Sequence, residues 1–345
     1  MPAKHQAAIL TAIGSPLTVV ERDTPEPGHG EVLVEARAVA FNPVDWYQRD
    51  HGTPPVPLLP AVLASDVAGV VAKVGPGLST APAVGSRVIA LASAYYHAVL
   101  ADYGAAQKYV LTRAERITPL PDTMSFEQGA VLPLATLTAL SAYTTLDIPL
   151  RTKHSPEDRQ SFLVWGGSSS VGSMAVQSAR AMGYVVYATA GAKNLDYVAS
   201  LGAAAVFDHK DPDVVSQIVS RAKQDGTELR TAHVAVPNAL QPTLDVIRQT
   251  KGDKTAKVAH APLLPADVQA PDGVEVKFTF PPTDPDEKKR HMRECFGVWL
   301  DASLRAGDVV PSPKVEVVPG GLGGVNEALD RLRSGVSATK LVILL

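Results

Sequence analysis

Gly166-Gly167-Ser168-Ser169-Ser170-Val171-Gly172 follows the apolar run Phe162-Leu163-Val164-Trp165 and opens a stretch with helical spacing. The apolar run has the length of a buried strand. Beyond it Val171, Met174, Ala175, Ala179 and Met182 fall near one helical face, and Tyr184–Ala188 is a second buried strand after Gly183. Strand, glycine turn, helix and strand make a βαβ unit with a right-handed crossover. Small residues at its first turn let a pyrophosphate approach the free N–H groups and positive dipole of the helix N-terminus. These residues can hold a dinucleotide. Ser169 stands where a GxGxxG motif has its middle glycine, so a purely structural turn is the competing reading. The end of the second strand weighs against it. An acid that grips the ribose 2′-hydroxyl of NAD belongs about 20 residues past the turn. This chain instead has Thr189, Gly191, Ala192, Lys193 and Asn194, with no carboxylate before Asp196. A lysine suits a 2′-phosphate, so NADP is favoured over NAD.

Acid–base and metal chemistry is less marked. No obligatory acid stands out; Tyr47, Tyr95, Tyr96 and Thr138 can each protonate or orient a carbonyl, though tyrosines in a β-rich region more often serve packing. The single cysteine, Cys295, excludes intrachain disulfides and thiolate zinc clusters. No pair among the nine histidines has ligand spacing. At 345 residues the chain exceeds what one core usually serves, so two domains are expected. A net charge of −3 gives no reason to expect nucleic acid or an anionic membrane as partner. The sequence shows neither a membrane-length apolar segment nor a signal-peptide core, and the expected location is cytoplasmic.

The elements that must position these residues change character along the chain. Residues 1–112 read as short strands between Gly/Pro turns, a small β-barrel-like domain. Its strands are His5–Leu10, Leu17–Glu21, Glu31–Ala40, Ala64–Gly75, Gly85–Ala90 and Gly104–Val110, with Pro43 breaking the ladder after the third. Helices begin at Ser125 and after Pro133. Alternating strands and helices over residues 160–262 indicate a doubly wound parallel sheet. Asp284–Ala306 reads as one long helix, and the closing strand Leu341–Leu345 is expected to return to the first domain.

Asn42-Pro43-Val44-Asp45-Trp46, Ser65-Asp66-Val67-Ala68-Gly69, Val84–Val88, Leu132-Pro133, Thr138-Ala139 and Ser334-Gly335…Lys340-Leu341-Val342 resemble the medium-chain dehydrogenase/reductase superfamily over essentially the whole chain. The Gly166–Gly172 turn resembles its fungal branch of trans-acting, zinc-free enoyl reductases. The resemblance implies an α/β fold: a GroES-like β-rich catalytic domain, residues 1–127 and 278–345, around a doubly wound Rossmann domain, residues 128–277. It implies cofactor contacts at Pro43, Val44, Asp45, Trp46, Ser168–Val171 and Gly191–Asn194, with His209, Ala259, His260, Ser337 and Ala338 as further lining positions. The substrate pocket is implied at Leu132, Pro133, Leu134, Ala135, Thr136, Leu137, Thr138 and Ala139, and at Val276, Lys277, Phe278, Thr279 and Phe280. Tyr47 and His209 depart from the family pattern, which usually has lysine and tyrosine there.

Zinc members of the superfamily need three protein ligands. Here Ala64-Ser65-Asp66 carries no histidine and Cys295 lies far off in the chain. The expectation is an NADPH-dependent, zinc-independent oxidoreductase that reduces an activated C=C bond of an unsaturated carbonyl, free or carrier-bound. A quinone reductase and a non-catalytic nucleotide-binding member remain as alternatives. Monomer and homodimer both stay open.

Overall fold

The structure is a computed structural model of the chain and describes residues 3–78, 82–92, 100–265 and 267–345. Tyr95, Tyr96 and His97 lie outside the described residues. In chain order the elements are β1 (Lys4–Leu10), β2 (Thr18–Asp23), β3 (Glu31–Ala40), α1 (Pro43–His51), β4 (Ala61–Val62), β5 (Asp66–Val74), β6 (Arg87–Leu91), β7 (Tyr109–Arg113), β8 (Ile117–Pro119), α2 (Phe126–Ala130) and α3 (Pro133–Thr145). There follow β9 (Ser161–Trp165), α4 (Ser170–Ala181), β10 (Val185–Ala190), α5 (Leu195–Ser200), β11 (Ala205–Asp208), α6 (Val214–Asp225), β12 (Thr231–Val234), α7 (Leu240–Thr250), β13 (Ala256–His260) and β14 (Val274–Phe278). The chain closes with α8 (Pro285–Met292), α9 (Asp301–Ala306), β15 (Lys314–Val317), α10 (Val325–Ser334) and β16 (Thr339–Leu344).

Two units divide the chain: Met1–Leu134 with Cys295–Arg305 and Pro311–Leu345, and Ala135–Glu294 with Ala306–Val310. The crossings fall later than residues 127 and 278. β14 belongs to the second unit's sheet, and beyond it His291 of α8 is tied to Ser141 of α3, Oγ to Nε2 2.9 Å.

In the first unit β1 is flanked by β2 and β4, and a larger sheet runs β15-β16-β3-β5-β6-β8, with β7 on β3. The closing strand does return here: β16 pairs antiparallel with β3 at Ala38–Ala40 and parallel with β15. β7 begins only at Tyr109, and Gln107 before it turns its side chain inward onto the carbonyls of Ala101 and Gly104. Pro43 does more than end β3. It is the first residue of α1, where a missing N–H costs nothing, and Gly52 closes that helix at φ 62°.

In the second unit six parallel strands take the order β11-β10-β9-β12-β13-β14. This is the doubly wound order whose strand direction of travel reverses at β9, and ligands of such sheets bind outside the carboxyl ends there. All five residues of β9 are buried, as a central parallel strand requires. Truncating Phe162, which is fully buried, to alanine would cost about 3–5 kcal/mol. The helix expected over Asp284–Ala306 is continuous in extent, but its middle, Arg293–Leu300, is π-helical between α8 and α9.

Candidate functional site

The glycine turn begins where β9 ends. Gly166 takes φ 93°, which residues with a Cβ rarely adopt, and its N–H donates to Thr189 Oγ1 at 3.1 Å while Gly167 N–H donates to the Thr189 carbonyl at 2.7 Å. The turn is thereby stitched to the end of β10. Ser169 answers the missing middle glycine. Its Oγ accepts the Gly172 N–H at 3.0 Å and donates to the Gly166 carbonyl at 2.8 Å, so it caps α4. A Cβ on Gly172 would lie 2.0 Å from the Gly166 carbonyl oxygen. That glycine is demanded by the fold itself, so substituting it cannot test for a nucleotide. Ser168, Ser170 and Val171 are half-buried at the head of α4.

Around this turn the remaining expected residues of the second unit are unequally placed. Gly191 has open space where a Cβ would sit, Ala192 and Lys193 are exposed, and Asn194 is buried. His209 is exposed, with its backbone N–H on the Ala190 carbonyl at 3.0 Å. Ala259 and His260 are buried at the end of β13, and His260 Nδ1 donates to the Pro262 carbonyl at 2.7 Å. Burial holds its pKa below the usual value against that bond. His233, fully buried on β12, has no partner for either ring nitrogen among the described residues, and burial, aided by His260, pushes its pKa down to about 3. It is a neutral imidazole.

The first unit holds a buried polar cluster. Asp66, fully buried at the start of β5, accepts Asn42 Nδ2 at 2.8 Å and Lys340 Nζ at 2.9 Å on Oδ2, and the Leu134 N–H at 2.7 Å on Oδ1. Lys340, on β16, is also buried and donates to Asn42 Oδ1 as well. Asp45 accepts the Asn42 N–H at 2.7 Å on Oδ2, while its Oδ1 lacks a partner among the described residues. Burial pushes the Asp45 carboxyl up to about 7; the Asn42 N–H opposes this, and nearby Asp66 adds to it. Of the neighbouring expected residues, Pro43 is exposed and Val44 half-buried. Tyr47, 40% exposed, stacks on Trp46 with ring centroids 3.8 Å apart. Ser337 is exposed, and Ala338 is held at φ 50°.

Leu132, Pro133, Ala135, Thr136, Leu137 and Ala139 are buried, which leaves Leu134 and Thr138, one helical turn apart, as the residues of this run with open surface. On β14 and just beyond it Val276 and Phe280 are half-buried, Lys277 and Phe278 exposed, and Thr279 buried. Lys277 lies 3.4 Å from Asp147. Phe278 and Phe280 stack with centroids 6.1 Å apart.

Neither the role of Asp66 nor that of Lys340 emerges from sequence reasoning. A signal does exist: Lys340 is the single charge of β16, before Leu341-Val342-Ile343, and Asp66 opens β5 before the apolar run Val67-Ala68-Gly69-Val70-Val71. Such charges are almost never fully buried unless paired.

The family description "Alcohol dehydrogenase GroES-like domain" matches residues 28–122, and "Zinc-binding dehydrogenase" matches residues 170–253. The chain is 54% identical to trans-enoyl reductase tndF of Aspergillus flavipes, over 100% of both chains. It is 56% identical to trans-enoyl reductase tazE of Aspergillus terreus, over 82% of this chain and 94% of that one. A crystal structure of an alcohol dehydrogenase superfamily protein from Novosphingobium aromaticivorans shares the fold. Its TM-score is 0.81 at 23% identity, covering 99% of each chain.

Proposed function

The chain belongs to the medium-chain dehydrogenase/reductase family, and from that premise we propose that it is an NADPH-dependent, zinc-independent enoyl reductase. Its substrate on this reading is an α,β-unsaturated carbonyl, free or carrier-bound. The names of the two fungal relatives support the substrate class. The choice of C=C reduction over alcohol oxidation rests on the donor set, in which Asp66 is not a free ligand. Its carboxylate is already matched by Lys340 and Asn42. Among the described residues no three His, Cys, Asp or Glu side chains gather as ligands, and Cys295 is buried. A catalytic zinc needs three protein donors, and the donor set here does not fit the ion.

The residues do fit a dinucleotide. The N–H groups of the first turn of α4, which a helix leaves without intrahelical partners, would hold the pyrophosphate at Ser168, Ser170 and Val171, and Lys193 would take the 2′-phosphate. Pro43–Trp46, Ser337 and Ala338 are proposed for the reacting end. NADPH, when bound, would supply a hydride, two electrons with one proton, for the β-carbon. A hydrogen-bond donor of this chain at the carbonyl oxygen would stabilise the negative charge there without a Lewis acid. In the second unit the half-buried Val276 and Phe280 offer apolar surface suited to an acyl chain. Tyr47 Oη and Thr138 Oγ1 are candidate donors; if water supplies the final proton, Tyr47→Phe and Thr138→Ala each lower turnover by less than about a hundredfold.

Oxidation of NADPH against short α,β-unsaturated thioesters, enones and quinones, with and without EDTA, tests the reading. Thioester reduction that survives EDTA is expected. Turnover of quinones alone, or loss of activity with EDTA restored by zinc, would overturn it.

A further inference from the structure

The buried ion pair of Asp66 and Lys340 has a geometry that simple stabilisation does not explain. A buried pair is weak evidence for stability, because desolvating both charges offsets much of their attraction. What distinguishes this pair is which segments it joins. Through Asn42 it reaches the residue before α1, through the Leu134 N–H the start of α3, and through Lys340 the strand β16 just after Ser337 and Ala338. Those three segments are the first unit's share of the proposed cofactor and substrate residues.

The backbone gives an independent sign. Ala64, two residues before Asp66, and Ala338, two residues before Lys340, both take left-handed conformations, φ 71° and 50°. A residue with a Cβ holds such a conformation only when its surroundings over-determine it. Each end of the pair is thus delivered by a strained residue.

We infer that Asp66 and Lys340 are positioning residues, which hold Asn42–Trp46, the start of α3 and Ser337–Ala338 in one register for the reaction. The inference rests on the enoyl-reductase reading above. Neither side chain is assigned a step in the chemistry.

Three variants separate positioning from stability. Lys340→Met leaves Asp66 buried and unmatched, and its urea midpoint should fall. Asp66→Asn with Lys340→Met removes both charges at little change in shape, so the midpoint should return toward that of the unaltered chain. Asn42→Ala leaves the ion pair intact but cuts its tie to α1; it serves if the double variant does not fold. In the double variant and in Asn42→Ala, kcat for a short enoyl thioester should fall at least tenfold, with KM changed less than threefold. The Kd for NADPH, measured by titration calorimetry, should rise about fivefold.

A folded double variant or Asn42→Ala with unaltered kcat would overturn the inference, leaving the pair a structural one. Failure of the enoyl reading shows separately, as an unaltered chain that binds NADPH but turns over no thioester. The calorimetric arm then decides alone: a raised Kd in the variants supports positioning, and an unaltered Kd overturns it.

Discussion

Lys193 and Asp45 illustrate opposite uses of charge. Lys193 is exposed beyond β10, where no carboxylate precedes Asp196. A charge-assisted hydrogen bond to a 2′-phosphate contributes about 1.5–3 kcal/mol, so NADPH should bind at least about tenfold more tightly than NADH. Lys193→Ala should weaken NADPH binding and leave NADH nearly unaffected. Equal losses for both cofactors would remove Lys193 from phosphate recognition. Burial raises the Asp45 carboxyl from 3.8 to about 7, so the folded chain gives up this proton at higher pH than the unfolded one. The carboxyl faces Asp66, Lys340, and the N–H groups of Asn42 and Ala64. Because the folded form binds the proton more tightly, this contribution to stability is full below about pH 4 and is lost as pH rises through 7. Between pH 5 and 8 the unaltered chain should therefore lose on the order of 3 kcal/mol relative to Asp45→Asn. Parallel urea midpoints of the two proteins across that range would show that Asp45 titrates normally.

At the level of elements, what is legible in the sequence follows from locality. The unit β9–α4–β10 is written in a single stretch, where apolar runs and small turn residues state their periodicity directly. The turn's stitching by Thr189 and its cap by Ser169 are less legible, since both are polar residues whose value lies in one oxygen. α1 is missed because Pro43 signals a strand's end as well as a helix's start. The π-helical stretch Arg293–Leu300 leaves no mark on a helical apolar pattern. Asp66 and Lys340 are the least legible, because a charge in an apolar run signals a partner without saying which residue, far off in sequence, supplies it. The turn also makes a test possible. Ser170 already carries a Cβ at the first position of α4, so Ser170→Val should fold with less than about 1 kcal/mol lost. It should nevertheless weaken NADPH at least about tenfold by adding bulk where a phosphate would approach. Full NADPH affinity in that variant would remove the turn from nucleotide binding.

The two units differ as whole objects in how the chain supplies them. The second takes nearly all its residues from one continuous stretch, Ala135–Glu294, whereas the first is assembled from three. Deleting residues 335–345 removes β16 and leaves Asp66 without its counter-charge. Limited proteolysis of that truncated chain should cut first within residues 1–134 and spare a fragment near residues 135–294. Equal digestion of both regions would show that the second unit's sheet does not hold by itself. The same arrangement fixes an order of events during synthesis. Lys340 is made 298 residues after Asn42, the side chain it must meet beside Asp66. A growing chain can close the parallel sheet while Asp66 still waits in water, hydrated. On the ribosome, the carboxylate that gathers the first unit's proposed site residues is buried only after the opposite charge, carried on β16, has been translated.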